Sequence, residues 1–409
     1  MNKYNNKKKF NHKIIGNKLN MFFFSNKIGK GLPLWLPDGI FIYNKIINFI
    51  RKINLKNKYL EVLTPHIVKK ILYKKSGHLD KYKKNIFSLL NNKYFIKPMN
   101  CPSHCEIYKN IKNVSYKILP IRYFEFGTVY RNEKNGELNG LFRTKSFTQD
   151  DGHIFCFKEN IYKEIYNIIN NIIYIYKKFN FKKFYIRFSL KNKNNKKYIG
   201  NNKLWKKSEK IILNIKKKIK HKYKTYIKYN EAAFYGPKID FLIKDSLNRK
   251  WQLSTIQIDY NTSIKLNLKY IDKNNKFKYP IIIHRAFLGS IERFIGILIE
   301  HYKGNLPIWL LKIQLIIIPI NKNNIKFSMK IFKKLKKKKI RIIIDKNKNN
   351  LNKKIKIYEK KHIPFIFIIG DNEEKINSVF IREYKIGKLG ILNIKNAINY
   401  VIKKIKFNF

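Results

Sequence analysis

The sequence predicts an α+β protein of two domains, a strand-rich body over residues 1–307 and a smaller α/β domain over 308–409. Three observations predict it. Apolar and polar residues alternate in strand-length runs joined by glycine-bearing loops through much of 118–290, the pattern of half-buried strands. After GNLPIW (304–309) the pattern changes to β-α-β-α-β, which describes a separate α/β layer structure. The 409 residues suffice for two domains of ~100–200 residues each.

In chain order, residues 14–30 hold a short amphipathic segment, and GLPLWLPDG (31–39) is a Gly/Pro-punctuated loop leading into a helix near 39–56. KYLEVLTPHIV reads as a strand ending at Pro65. ILPIRYFEFGTVYRN (118–132) and FRTKSFTQDDGHIFCF (142–157) are strands either side of the loop EKNGELNGL. A helix follows at 158–180 and an exposed Lys/Asn-rich loop at 191–203. AAFYGPKIDFLI and WQLSTIQIDY are further strands, and 281–302 is a strand running into a helix, with Gly289 and Ser290 near the helix start. In the distal domain the strands are LKIQLIIIPI, IRIIID and IPFIFIIG, with helices at 324–338 and 351–361 between them.

A net charge of +65, from 90 Lys+Arg against 25 Asp+Glu, favours polyanion partners through counterion release. It also has a compositional source, because Lys, Asn, Ile, Tyr and Phe are raised throughout, as nucleotide bias in an AT-rich genome produces. Windows that escape the bias therefore stand out. The three cysteines exclude a disulfide framework and suit a reducing compartment. No apolar run approaches the ~18–20 residues of a membrane span. The opening MNKYNNKKKF reads as a solvated basic tail rather than a transit peptide.

The clearest escape is 128–155, which gathers Glu133, Glu137, Asp150 and Asp151 with Gly136, Gly140 and Gly152. Arg131 and Arg143 flank its loop, where guanidinium forks could clamp a phosphate; Glu133 could accept from an exocyclic amine and Phe147 offers a stacking face. On spacing alone the same residues also make an ordinary hairpin with solvated charges. Arg293, on the first turn after Gly289 and Ser290, could reach a phosphate at the helix start or could be a surface arginine. Cys101, His153 and His284 are a sound zinc set in chemistry, though scattered residues are not a spacing motif. Within CPSHC, Cys101, His104 and Cys105 are too crowded for a usual finger; Cys105 and Cys156 read as small core residues.

Together SGHLDKY (76–82), IKPMNCPSH (96–104), 126–156, AAFYGPKIDF (232–241), WQLSTIQIDY and IHRAFLGSIERFIG (283–296) resemble the class II aminoacyl-tRNA synthetases, in their threonine-specific branch. The resemblance covers nearly the whole chain. It implies an antiparallel sheet flanked by helices, a dimer interface around Pro65, and a distal anticodon-binding domain. It also implies two reactions: threonine attacks the ATP α-phosphate to give threonyl-adenylate, and a terminal ribose hydroxyl of tRNA(Thr) then takes the threonyl group.

In that resemblance Arg131 holds the α-phosphate, Arg143 and Arg293 grip the γ-phosphate side, Glu133 and Phe147 meet adenine, and magnesium neutralises the triphosphate. Lys238 and Gln252 line the adenylate. Gln149, Asp151, Tyr235 and Gln257 bind threonine, with Asp151 accepting its hydroxyl proton, and His78 assists deprotonation of the ribose. Cys101, His153 and His284 match the zinc ligands, and zinc would select threonine over valine by its hydroxyl. Glu373 and Arg382 match anticodon contacts.

Departures from the pattern are Leu253 and Ser254 after Trp-Gln, Leu79 where an aromatic is common, and Lys346 and Asn347 where an arginine is usual. Relatives usually carry an N-terminal and an editing domain before the point where this chain begins, so the expectation is a short form that mischarges serine. The expected setting is a homodimer in the cytoplasm of a bacterium with a reduced genome. Two alternatives remain: a relative charging serine or proline, which would not need the Cys/His/His set, and an inactive RNA- or nucleotide-binding paralogue, which would show a broken site.

Overall fold

The computed structural model describes residues 10–79, 83–192, 198–245 and 248–407. Most of the basic opening and the middle of the Lys/Asn-rich loop, 193–197, lie outside the described residues. The chain forms two compact units. One comprises Met1–Lys13, Phe23–Leu34 and Ile46–His301, and the other Ile14–Phe22, Trp35–Lys45 and Tyr302–Phe409.

The first unit is built on an eight-stranded sheet. Its strands are β1 (Leu60–Glu61), β2 (Ile121–Tyr130), β3 (Ser146–Cys156), β4 (Phe184–Leu190), β5 (Lys224–Tyr229), β6 (Lys238–Lys244), β7 (Lys250–Asp259) and β8 (Ile281–Ser290). They lie in the order β5-β4-β6-β7-β8-β3-β2-β1. All internal pairings are antiparallel, and only the edge strands β5 and β1 pair parallel to their neighbours.

Its longer helices are α1 (Pro37–Lys56), which belongs to this unit from Ile46 on, α2 (Cys101–Lys109), α3 (Ile161–Lys178), α4 (Asn202–Ile219) and α5 (Ile291–His301). Apolar spacing forms α3, which buries Ile165, Ile168, Ile169, Ile172 and Tyr176 along one stripe. Its Glu164 accepts from Arg122 of β2 at 2.7 and 2.9 Å. α2 lies over the other side of the sheet, where Cys101, Cys105 and Tyr108 share a core cluster with Tyr123, Phe155 and Ile282. All three cysteines are buried and free.

The long strand expected over KYLEVLTPHIV is only the two-residue β1 plus a short strand Ile67–Lys69 in a separate three-stranded sheet. The break falls at Thr64–Pro65, where Thr64 N–H donates to the Glu125 carboxylate instead of a strand ladder. α2 and α4 were not expected. α4 buries Trp205, Ser208, Ile212, Ile215 and Ile219 at helical spacing, a stripe hidden among lysines.

In the second unit five strands, β9 (Leu315–Pro319), β10 (Ile342–Ile344), β11 (Phe365–Ile369), β12 (Ser378–Glu383) and β13 (Gly387–Asn393), lie in the order β10-β9-β11-β12-β13. The first three pair parallel, with α6 (Ile325–Lys337) and α7 (Leu351–Lys360) between them in sequence. The antiparallel β12–β13 pair and α8 (Ile394–Phe407) complete the unit beyond the alternation visible in sequence.

Candidate active site

Strand periodicity lays out the site. On β3, Phe147, Gln149, Asp151 and His153 alternate with the buried Thr148, Asp150 and Gly152, so the first set shares one face of the sheet. Register then extends that face across five strands. Lys238, Gln257, His284, His153 and Tyr123 stand side by side in one row, and Asp240, Thr255, Ala286, Asp151 and Glu125 in the next.

At one end of the face, Cys101, His153 and His284 bring one ligand atom each within 4.8 Å of one another, all three residues buried. A tetrahedral zinc ion would want these donors about 3.3–3.6 Å apart, a separation small side-chain rotations reach. The nitrogens facing away from the cluster are engaged. His284 Nε2 contacts Asp259 Oδ2 at 3.1 Å, and His153 Nδ1 contacts His104 Nδ1 at 2.8 Å. Burial and the neighbouring imidazoles His104 and His284 hold His153 well below its ordinary pKa, so it is neutral, as a metal ligand must be. Burial, with Cys105 beside it, raises the Cys101 thiol, which only a cation would reverse. The donor set therefore fits a borderline-soft divalent metal.

Asp151 sits next to this cluster, with Oδ1 at 3.9 Å from His153 Nε2 and Oδ2 accepting from Asn100 Nδ2 at 3.0 Å. The Tyr235 hydroxyl donates to Gln257 Oε1, and its ring packs 5.1 Å from that of His284. Lys238 is 3.2 Å from Asp240. His78 is buried, within 2.9 Å of Ser76 Oγ through Nδ1, and its ring lies 6.3 Å from Tyr235. Burial lowers its pKa to about 4.

At the other end the arginines converge. Arg293 Nε donates to Phe142 O at 2.8 Å and Nη1 to Gln252 O at 3.0 Å, while the Ser290 hydroxyl accepts from Arg293 N–H. Burial, with the charges of Arg131 and Arg143, pulls its pKa down to about 10. Three guanidiniums converge against the two carboxylates that pair with Arg143, which leaves excess positive charge to suit an anion. Arg131 donates to Pro98 O and lies 5.1 Å over the Phe147 ring. Arg143 is partly exposed but engaged: it donates to Glu133 at 2.7 and 3.0 Å and to Glu137 at 3.0 Å, which leaves its Nη1 edge for a ligand.

In the second unit, Glu373 Oε2 accepts from Gly370 N–H at 2.9 Å and so caps its own short helix, Asp371–Lys375. Arg382 donates to Glu359 at 2.9 Å. Leu253 and Ser254 are both buried; the Ser254 hydroxyl donates to Phe287 O and lies 2.7 Å from the Tyr176 hydroxyl. Leu79 packs partly buried against Tyr73, Ile86 and Phe95, and Lys346 and Asn347 are exposed.

Sequence reasoning missed Asn100, Glu125 and Asp259, buried polar residues around the candidate site, and set His104 aside with the crowded CPSHC. His104 follows Cys101 by one helical turn, a spacing that could have marked it. Glu125 and Asp259 gave no signal short of the register that places them.

Comparison with known proteins adds the family. The family model for the tRNA synthetase class II core domain (G, H, P, S and T) matches residues 83–302, and the anticodon binding domain matches 314–404. The chain is 43% identical over 407 residues to a threonine–tRNA ligase of Azobacteroides pseudotrichonymphae, covering 98% of this chain and 62% of that protein. A threonine–tRNA ligase of Cytophaga hutchinsonii is 43% identical over 404 residues, with 97% and 62% covered. The chain thus spans less than two thirds of the length of these curated relatives. A solved structure described as the RNA binding domain of threonyl-tRNA synthetase from Cryptosporidium parvum superposes with a TM-score of 0.87 at 34% identity, covering 96% of this chain and 98% of that one.

Proposed function

The chain belongs to the class II aminoacyl-tRNA synthetases, and from that premise we propose that it ligates L-threonine to tRNA(Thr) through a threonyl-adenylate made from ATP. The observation that carries the reading is the single sheet face that joins an arginine cluster to a Cys/His/His cluster, with Phe147, Gln149 and Asp151 between them.

ATP would lie at the arginine end. Arg131 neutralises charge developing on the α-phosphate as threonine's carboxylate attacks and pyrophosphate leaves. The free edges of Arg143 and Arg293 take the γ-phosphate side, with magnesium sharing the triphosphate charge. Adenine stacks on Phe147 beside the Glu133 carboxylate, and Lys238 and Gln252 line the adenylate. Threonine would lie toward the buried cluster, oriented by Gln149, Tyr235 and Gln257, with its hydroxyl proton accepted by Asp151. Cys101, His153 and His284 would hold zinc, whose bound state supplies a Lewis acid able to take an amino and a hydroxyl group but not a methyl. His78, neutral at pH 7, would accept the ribose proton in the transfer step; a pKa of about 4 makes it a weak base there.

Residues 1–307 would form the catalytic domain and 308–409 the anticodon-binding domain, with Glu373 and Arg382 exchanging their internal partners for anticodon bases. A homodimer is supported by Leu60, Leu63 and Ile67, all more than half exposed beside Pro65 at the sheet edge. A cytoplasmic setting accords with three free cysteines and, among the described residues, no helix long and apolar enough to cross a membrane.

The test is amino-acid-dependent ATP–pyrophosphate exchange with threonine, serine and valine, before and after metal removal. Threonine should lead, serine should follow because it carries the same hydroxyl, valine should be silent, and chelation should abolish exchange. A folded, zinc-loaded chain that exchanges with none of them would point to the binding paralogue instead.

A further inference from the structure

Behind the metal cluster lies a buried polar chain that the proposed reaction does not use. His153 Nδ1 is 2.8 Å from His104 Nδ1, and His104 Nε2, a buried atom without a hydrogen-bond partner, is 3.7 Å from Glu125 Oε1. Glu125 is itself held by Thr64 N–H at 2.8 Å, the Thr64 hydroxyl at 2.9 Å and Lys97 Nζ at 3.2 Å. Lys97, His104, Glu125 and His153 are each no more than 1% exposed.

Two facing imidazole nitrogens can share one proton in only two ways. If His104 donated to His153, the His104 Nε2 lone pair would face a carboxylate, and His153 would carry its proton on Nε2, where it could not ligate. If His153 donates, His104 carries its proton on Nε2, aimed at the fully buried Glu125, and the lone pair left on His153 Nε2 faces only Asp151 Oδ1 at 3.9 Å, whose side chain is 15% exposed and therefore better screened. The Thr64 N–H, the Thr64 hydroxyl and the Lys97 ammonium all donate to Glu125, the partners an ionised carboxylate takes.

We infer that His104 and Glu125 are positioning residues for the metal, selecting the His153 tautomer whose Nε2 lone pair is free to bind it. The inference rests on reading Cys101, His153 and His284 as metal ligands. An outer-layer partner of this kind usually contributes ~10–100-fold to metal affinity.

The experiment combines two measurements on the full chain. Zinc affinity is determined by competition with a chromophoric chelator for the wild type, His104→Leu, His104→Gln and the charge-paired double variant Glu125→Gln/Lys97→Met. The histidine ring tautomer is read by long-range ¹H–¹⁵N correlation in metal-free wild-type protein, with His153 assigned by loss of its signal in His153→Ala. The expected result is His153 protonated on Nδ1, with zinc binding weakened ~10–100-fold in His104→Leu and in the double variant. His104→Gln, whose amide oxygen still accepts from Nδ1–H, should retain most of the affinity. A purely structural role would lower stability without this split between Leu and Gln. Unchanged affinity in His104→Leu, equal losses in Leu and Gln, or a His153 proton on Nε2 overturns the inference while leaving the ligand set standing. A wild type that binds no zinc overturns both. Should His104→Leu not fold, the wild-type tautomer decides alone.

Discussion

Asp150 and Asp151 are consecutive on β3 and serve opposite faces of the sheet. Asp150 accepts from the backbone N–H groups of Phe287 at 2.8 Å and Leu288 at 3.0 Å, whereas Asp151 accepts from Asn100 at the reactive face. The pair therefore divides a buried backbone contact from the face that carries the candidate site within two residues.

Asp151→Asn should lower kcat/KM for threonine-dependent exchange by about 10–100-fold, the usual size of one hydrogen bond to a charged group, with the unfolding midpoint little changed. Asp150→Asn should instead cost about 1–3 kcal/mol of stability near pH 5. Burial outweighs Arg285 and the two N–H donors and raises the Asp150 pKa to about 7. The folded state therefore holds its proton where the unfolded chain has lost it, so wild-type stability falls as pH rises from about 4 to about 7. Across that window the gap to the neutral variant should narrow. Denaturant melts at pH 5 and pH 8 check both statements.

Removing one convergent guanidinium should strike the activation step. Arg293→Gln is expected to slow exchange on the order of 10²–10³-fold, as loss of a preorganised charge donor does. In the wild type, ATP with magnesium should raise the melting temperature, because phosphate compensates a guanidinium whose pKa is lowered first by burial and then by the charges of Arg131 and Arg143. Arg293→Gln should lose most of that shift, which differential scanning fluorimetry reads directly.

His78 should divide the two steps. His78→Ala is expected to slow threonyl transfer to tRNA on the order of 10²-fold and to leave exchange nearly unchanged. With its pKa lowered to about 4 by burial, His78 is already neutral near pH 6, so the transfer rate should show no ionisation near the ordinary histidine value. Single-turnover transfer from preformed adenylate, followed from pH 5.5 to 8, gives the profile; a break near 6.5 assignable to His78 would contradict this.

Gly289 positions Arg293. Its φ is +73°, and an added Cβ would lie 2.4 Å from the Leu253 carbonyl oxygen. Gly289→Ala should destabilise the chain by more than ~1 kcal/mol, since neither the backbone angle nor the neighbour can yield cheaply. It should also weaken ATP binding, because Ser290, which accepts from Arg293 N–H, follows directly. Parallel melts and ATP titrations test whether the two losses occur together.

Local pattern made part of this protein legible in advance. The two-residue alternation on β3 put Phe147, Gln149, Asp151 and His153 on one line, and the 3.6-residue stripe of α3 announced a helix. Lysine drift hid other elements: α4 carries its apolar stripe under charge, and the β12–β13 hairpin has few strong turn residues besides glycine.

By itself the sequence determined which residues could do chemistry and which face of each strand they occupy, because a strand's periodicity is a property of neighbouring peptide units. Only the tertiary structure decided what they meet. The convergence of Cys101, His153 and His284 depends on antiparallel register across β8 and β3 and on where α2 begins. The pairing of Arg143 with Glu133, and of His153 with His104, depends on side chains whose alternatives are equally good in an isolated segment. Such contacts are set by long-range packing, and a one-residue change of register would turn the whole face to the other side of the sheet.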